Sequence, residues 1–223
     1  MGMPSLLGTA ATLAAATLAI TGLVSCGHKT ADYSSLLTTS TTATTTSTAA
    51  KSRPVPLAEY LAGMSVTGQQ VALDTLTDIT VTLPRPPGWT KYSNPSFSPG
   101  TEAIAKNNTY PTAMVMVFKL SGNFDVAEAL SHADADAELS KDFIRLNYSK
   151  DDFKGFPSSM IEGSYDLNGR RVHTYSRIVI PVTGAPDFRR YLVQFTVTGL
   201  ANKAAEDAAA VQQVIQGFNV TLR

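Results

Sequence analysis

Residues 112–120, TAMVMVFKL, carry large apolar side chains at both odd and even positions. Alternate residues of an extended chain point to opposite faces, so such a strand must be covered on both sides. That segment excludes an open sheet with one wet face. The flanking sequence supplies the cover. LAEYLAGM, after Pro56, reads as a short helix. Asn123 is placed to cap a second helix, with Asp125 and Glu128 suited to its positive end and Val126, Leu130, Ala133 and Ala137 facing inward. A third helix is expected over about 202–216, with Ala204, Ala208, Val211, Ile215 and Phe218 inward and Gly217 as its stop.

The strands follow from alternation. ITVTL (79–83) places Ile79, Val81 and Leu83 on one face, and PRPPGW (84–89) ends it because proline cannot extend a ladder. EAIAK (102–106) is a short strand, and YLVQFTVTG (191–199) a longer one. SMIEGSYDL and RRVHTYSRIVI flank Asn168-Gly169, the strongest short-range hairpin signal. The expected fold is α+β: a largely antiparallel sheet with helices on both faces, an α/β/α sandwich. It occupies residues 57–223 as a single globular domain, long enough to bury a core without disulfides.

The first 56 residues read differently. Residues 6–24 contain no charge, and the stretch ends in Leu23-Val24-Ser25-Cys26. This resembles a bacterial lipobox: aliphatic, variable, small, then the cysteine that receives diacylglycerol and, after cleavage, an N-acyl group. Residues 1–25 are then a lipoprotein signal peptide, and Cys26, the single cysteine of the chain, is the anchor. At about 0.8 kcal/mol per buried CH₂, two chains give stable attachment where one does not. MGMPS lacks the usual basic residue, which places the expected translation start upstream of Met1. Residues 26–56 join anchor to domain. Their core, TTSTTATTTST (38–48), has the composition of a disordered spacer, either bare or O-glycosylated. Three N-x-[ST] tracts, at Asn107, Asn147 and Asn219, carry no weight in a bacterial lipoprotein.

Charge and motif exclude several classes. Lys+Arg and Asp+Glu both number 18, so no global field recruits nucleic acid. There is no G-x-S-x-G elbow, no H-E-x-x-H and no Cys/His cluster, so neither a catalytic residue nor a metal or other cofactor is expected. Ser158-Ser159 and His173 are the only ingredients of a hydrolytic triad. The run Asp134, Asp136, Glu138 lacks the glycine of a calcium loop, and on a helix its carboxylates splay apart, as on a solvated face. Arg171, His173, Tyr175 and Arg177 share one strand face, opposite Val172, Ile178 and Ile180. Two arginine forks and a phenol there can hold sugar hydroxyls or a phosphate, or form an ordinary wet face. Trp89 can line a carbohydrate site or plug the core. Met114, Met116 and Met160 can give an apolar cleft adaptable walls.

LTDITVTLPRPPGW (76–89), YPTAMVMVFKL (110–120), FDVAEAL (124–130), GFPSSMIEGSYDLNGRR (155–171) and RYLVQFTVTGLAN (190–202) together resemble the mycobacterial LpqN/LpqT lipoprotein family. The resemblance implies a Mog1/PsbP-like sandwich and no catalytic motif. It also implies a lipid-anchored protein on the outer face of the cytoplasmic membrane. Two functions follow from it: a module for envelope glycolipids of the trehalose mycolate type, or an accessory of their transport; alternatively, a surface antigen that engages host immune receptors or other envelope proteins. The expected ligand residues are Arg171, Tyr175, Arg177 and Trp89.

Overall fold

The computed structural model describes residues 53–223. The expected leader (1–25), Cys26 and the Thr-rich tract lie outside the described residues. The elements run α1 (Leu57–Gly63), β1 (Thr67–Val71), β2 (Ile79–Thr82), β3 (Trp89–Lys91), β4 (Glu102–Lys106) and β5 (Thr109–Ser121). They continue through α2 (Val126–Ser131), α3 (Ala135–Glu138), β6 (Ile144–Ser149), β7 (Ser158–Leu167) and β8 (Arg170–Val179) to β9 (Arg190–Leu200), α4 (Ala204–Gly217) and β10 (Asn219–Leu222).

The main sheet has eight strands in the order β3-β4-β5-β9-β8-β7-β6, with β1 paired to the second half of β5. Every pair is antiparallel, and β2 with β10 forms a separate two-stranded ribbon. The Asn168-Gly169 hairpin has the expected register, Leu167 facing Arg170. Gly169 adopts φ +74° and Asn168 φ 50°, the left-handed pair that a two-residue hairpin turn needs.

The doubly apolar segment is the central strand β5, and its two faces feed two cores. Ala113, Val115 and Val117 join Val193, Phe195 and Val197 of β9 beneath α4 and the ribbon. There Phe218 stacks on Phe195 at 4.2 Å and 9°, and Phe153 stacks on Phe218 at 5.4 Å. Each fully buried Phe contributes about 2–3 kcal/mol from removal of apolar surface from water. On the other face Leu120, Leu192, Ile178 and Ile180 pack under Leu57 and Leu61 of α1 and Leu130 of α2. The α/β/α sandwich is therefore as expected.

Local details differ from the sequence reading. Asp125, not Asn123, caps α2, its Oδ1 accepting from the Glu128 N–H at 2.7 Å. The helix expected to run on to Ala137 breaks between α2 and α3. At the break His132 Nδ1 lies 3.1 Å from the Val55 carbonyl, and Asp134 turns to Lys150 and Ser159. In α4 the buried residues are Asp207 and Val214, with Phe218 buried just beyond its end, while Ala204 and Ala208 are exposed. Asp207 is inward because Lys106 of β4 reaches it at 2.9 Å. Gly217 is the last residue of the helix and lacks the left-handed φ of a glycine stop; glycine is needed there for space, because a Cβ would come within 2.8 Å of Pro84.

Candidate functional site

The layer of α1, α2 and α3 does not close on the sheet. Between them lies a cavity of about 410 Å³, in the range of small-molecule sites. Its floor comes from the face of β8 and β9 that carries Thr174, Ser176 and Ile178, and Leu192, Gln194 and Thr196. The register sets Ser176 beside Thr196 and Ile178 beside Gln194, so the polar residues form one shelf across two adjacent strands. Leu57 and Leu61 of α1, with Val66, Phe118 and Leu120, wall the apolar end. Ala133, Asp136, Ala137 and Ser140 line it from the α2–α3 side, and Lys141, Tyr165 and Asp166 stand at its polar end.

Thr196 is only 6 % exposed, and its Oγ1 has no hydrogen-bond partner among the described residues. A buried hydroxyl left unpaired costs about 1–3 kcal/mol. Asp136 reaches solvent, yet protein atoms crowd its inner side. That desolvation holds its carboxyl above the usual range. Burial likewise raises the Tyr165 phenol, with a smaller contribution from Tyr110.

The residues singled out from sequence lie elsewhere. Arg171, His173, Tyr175 and Arg177 do share one face, but it is the α4 side of the sheet, opposite the cavity. It is not a wet face: Tyr175 is buried against Phe195. Arg177 donates through Nε to Tyr175 Oη at 2.8 Å and through an Nη to Ser158 Oγ at 2.9 Å, and it lies over the Phe153 ring. Arg171 is bound to Asp166, Ser164 and the Asp142 carbonyl. These forks are engaged within the protein and at opposite ends of β8. Trp89 is buried in the α4-side core and touches no part of the cavity. Met160 belongs to that core as well, and neither Met114 nor Met116 lines the cavity.

The hydrolytic ingredients are likewise separated. Ser159 sits opposite Ile178 and is turned toward the helical layer. His173 sits opposite Ser164 on the other face, with Nε2 3.1 Å from Glu162. Ser159 Oγ instead donates to Asp134 Oδ1 at 2.7 Å and accepts from Lys150 Nζ at 2.8 Å. Lys150 Nζ is itself paired with Asp134 Oδ2 at 3.0 Å. The acidic run does splay, but into three contacts rather than one solvated face. Asp134 goes to Lys150, Asp136 to the cavity and Glu138 to Arg145. Among the described residues no three His, Cys, Asp or Glu side chains converge on a metal position, and no helix is long and apolar enough to cross a membrane.

Sequence reasoning missed the shelf. Its signal was present: Gln194, Thr196 and Thr198 alternate with Val193, Phe195 and Val197 in the strand next to the doubly apolar β5. Polar side chains on a central strand face that helices cover must find hydrogen-bond partners there or border a cavity.

Fold and site together define an α/β/α sandwich with a small-molecule-sized cleft between its sheet and one helical layer. The chain belongs to the lipoprotein family described as "Probable lipoprotein LpqN", whose model matches residues 53–221. It is 52% identical over 214 residues to the lipoprotein LpqT of Mycobacterium tuberculosis, covering 96% of this chain and 94% of that protein. It is 47% identical to LpqT of Mycobacterium leprae, with 96% of each chain covered. Among solved structures, LpqN, described as involved in cell envelope biogenesis of Mycobacterium tuberculosis, superimposes with a TM-score of 0.64 at 20% identity. The match covers 74% of this chain and 97% of that one. These relatives are named as lipoproteins and an envelope protein, and mycobacterial origin accords with the sequence resemblance.

Proposed function

We propose that this lipoprotein is a non-enzymatic binding module of the mycobacterial envelope, held on the outer face of the cytoplasmic membrane by lipid on Cys26. Its cavity holds the apolar part of an envelope lipid of the glycolipid class, either for storage or for delivery to transport machinery. The observation that carries this is the cleft itself: an apolar end under α1, a hydroxyl-lined shelf, and a polar opening. Such a gradient matches an amphiphile and suits neither a free sugar nor a peptide. The separation of Ser159 from His173 and the pairing of Lys150 with Asp134 support a binding role over hydrolysis.

Native mass spectrometry of residues 53–223 after incubation with mycobacterial envelope lipids tests the proposal. A retained lipid at one per chain supports it. A persistently empty protein sinks it. Fractionation of cells expressing Cys26→Ser tests the anchor, because the variant is expected to leave the membrane fraction.

A further inference from the structure

The two ends of α1 are held in different ways. At its C-terminal end the chain runs through Met64 and Ser65 into β1, whose five residues pair with residues 117–121 of β5. The joint is closed by two backbone bonds, from the Ser65 N–H to the Ala62 carbonyl and from the Val66 N–H to the Leu61 carbonyl, both 2.9 Å. Ser65 takes φ 59°, the left-handed region that a residue with a Cβ enters at a cost. Gly122 braces the joint from outside: a Cβ there would come within 3.0 Å of Val66 Cα.

The other end has no ladder. Among the described residues, one hydrogen bond joins Val55 or α1 to an element beyond β1: His132 Nδ1 lies 3.1 Å from the Val55 carbonyl. A carbonyl oxygen only accepts, so Nδ1 carries the proton. The same imidazole stacks on Tyr60 of α1 at 4.4 Å and 18°, and its Nε2 lies 3.6 Å from Glu128 Oε1. His132, at the end of α2, therefore grips both the entry to α1 and one of its side chains. What remains of the hold is apolar. Leu57 and Leu61 close the apolar end of the cavity against Leu120 and Leu192. Such contact is non-directional, and seven residues are too few for a helix to persist without its packing.

We infer that α1 is a gate on the cavity, swinging about Ser65 and Val66, and that His132 is the latch that holds it shut. Opening breaks the Val55 bond and the Tyr60 stack while the β1–β5 ladder stays intact. It lifts Leu57 and Leu61 from the sheet, and occupants pass at that end. The gate rests on the reading of the cavity as a binding site and is independent of what the site holds. His132 is a positioning residue, since it acts through α1 and touches no occupant.

Residues 26–223 carrying Cys26→Ser, loaded with the uncharged fluorophore N-phenyl-1-naphthylamine, test the gate by two readouts. Amide exchange resolves α1 from the sheet, and stopped-flow fluorescence follows release of the probe. In His132→Ala, exchange across Leu57–Gly63 should run about tenfold faster and probe release about fivefold faster, with exchange in β5 and β9 unchanged. Tyr60→Leu keeps the apolar cover but loses the stack, and should accelerate both about threefold. His132→Asn should restore much of the protection, because its amide N–H can donate to the Val55 carbonyl in place of Nδ1. Unchanged α1 exchange in His132→Ala overturns the latch, and equal acceleration through the whole sheet overturns it too, since His132 then supports the fold alone. Faster α1 exchange with unchanged release overturns the gate and leaves binding in the cavity standing. A parent protein that takes up no probe overturns the gate and the binding reading together.

Discussion

Lys150 Nζ lies 3.0 Å from Asp134 Oδ2, and the pair encloses the buried Ser159 hydroxyl. Lys150 also donates to the Leu130 carbonyl at 2.9 Å, at the last turn of α2. One ammonium thus ties the α2–α3 junction to the start of β7, on the layer that roofs the cavity. Lys150 is 42% exposed, so its ion pair is heavily screened, and the enclosed Ser159–Asp134 hydrogen bond contributes more. Asp134→Ala is expected to cost about 1–3 kcal/mol in urea denaturation, and Ser159→Ala about 1 kcal/mol. A double-mutant cycle between them should show coupling. Strict additivity would mean that the junction is held by packing alone.

A second polar knot predicts the pH response. Asp78 accepts from Tyr191 Oη at 2.5 Å and from Arg189 at 2.7 and 2.9 Å. The Tyr191 hydroxyl first, and then the Arg189 guanidinium, hold the Asp78 carboxyl down at about 2, from an ordinary 3.8. A folded value below the unfolded one stabilises the protein above the unfolded value, and the benefit fades as pH falls from 3.8 toward about 2. Burial and then Asp78 push the Tyr191 phenol up to about 12, from 10.0. Its raised value stabilises the fold below pH 10.0, and that benefit is lost as pH climbs toward about 12. Melting temperatures measured across both limbs should show Asp78→Asn lower than the parent at neutral pH, with a shallower acid limb. Parallel acid limbs would show that other carboxylates govern acid unfolding.

The layers were legible because β5 is apolar on both faces, and the β7–β8 hairpin because Asn168-Gly169 has a single favoured geometry. Four strands were not: β1, β3, β6 and β10. All but the last residue of β6, Ile144–Ser149, are exposed, so no burial alternation marks it, and a register shift between Arg145 and Asn147 disrupts what little periodicity it has. β1 contains Gly68 and two glutamines at a sheet margin, and β3 has three residues. Alternation was silent in the same way about what covers the arginine face. Alternation places Arg171, Tyr175 and Arg177 on one side, but it does not say that Phe153, Phe156 and α4 cover that side. Long side chains can bury their stems while their heads find partners, and Arg177 does so against Phe153 and Ser158.

Gly163 accounts for how the edge strand β6 stays in place. A Cβ at Gly163 would approach the Phe143 ring at 2.5 Å and the Ile144 carbonyl oxygen at 2.7 Å. The constraint is space, since its backbone is ordinary extended chain. Gly163→Ala should cost about 1–3 kcal/mol, as overpacking does. Amide exchange in Ile144–Ser149 should accelerate well before exchange in β8 or β9 does. Unchanged protection of β6 would mean that Phe143 moves aside without loss.

Filling the cavity should separate its role in binding from any role in folding. Ser176 lines the floor beside Thr196, and its side chain faces the space that the ligand would occupy. Ser176→Leu adds apolar volume where a cavity exists, which is neutral or stabilising by roughly 0.5–2 kcal/mol when the space accepts it. The melting temperature of the empty variant is therefore expected to hold or rise. Retention of envelope lipid in native mass spectra should fall to background. Arg177→Ala should behave in the opposite way: it strips Tyr175, Ser158 and Phe153 of their shared partner on the far face, lowering stability while leaving lipid retention intact. Lipid retained by Ser176→Leu and lost in Arg177→Ala would place the binding site on the α4 side of the sheet, where the arginine-rich strand first suggested it.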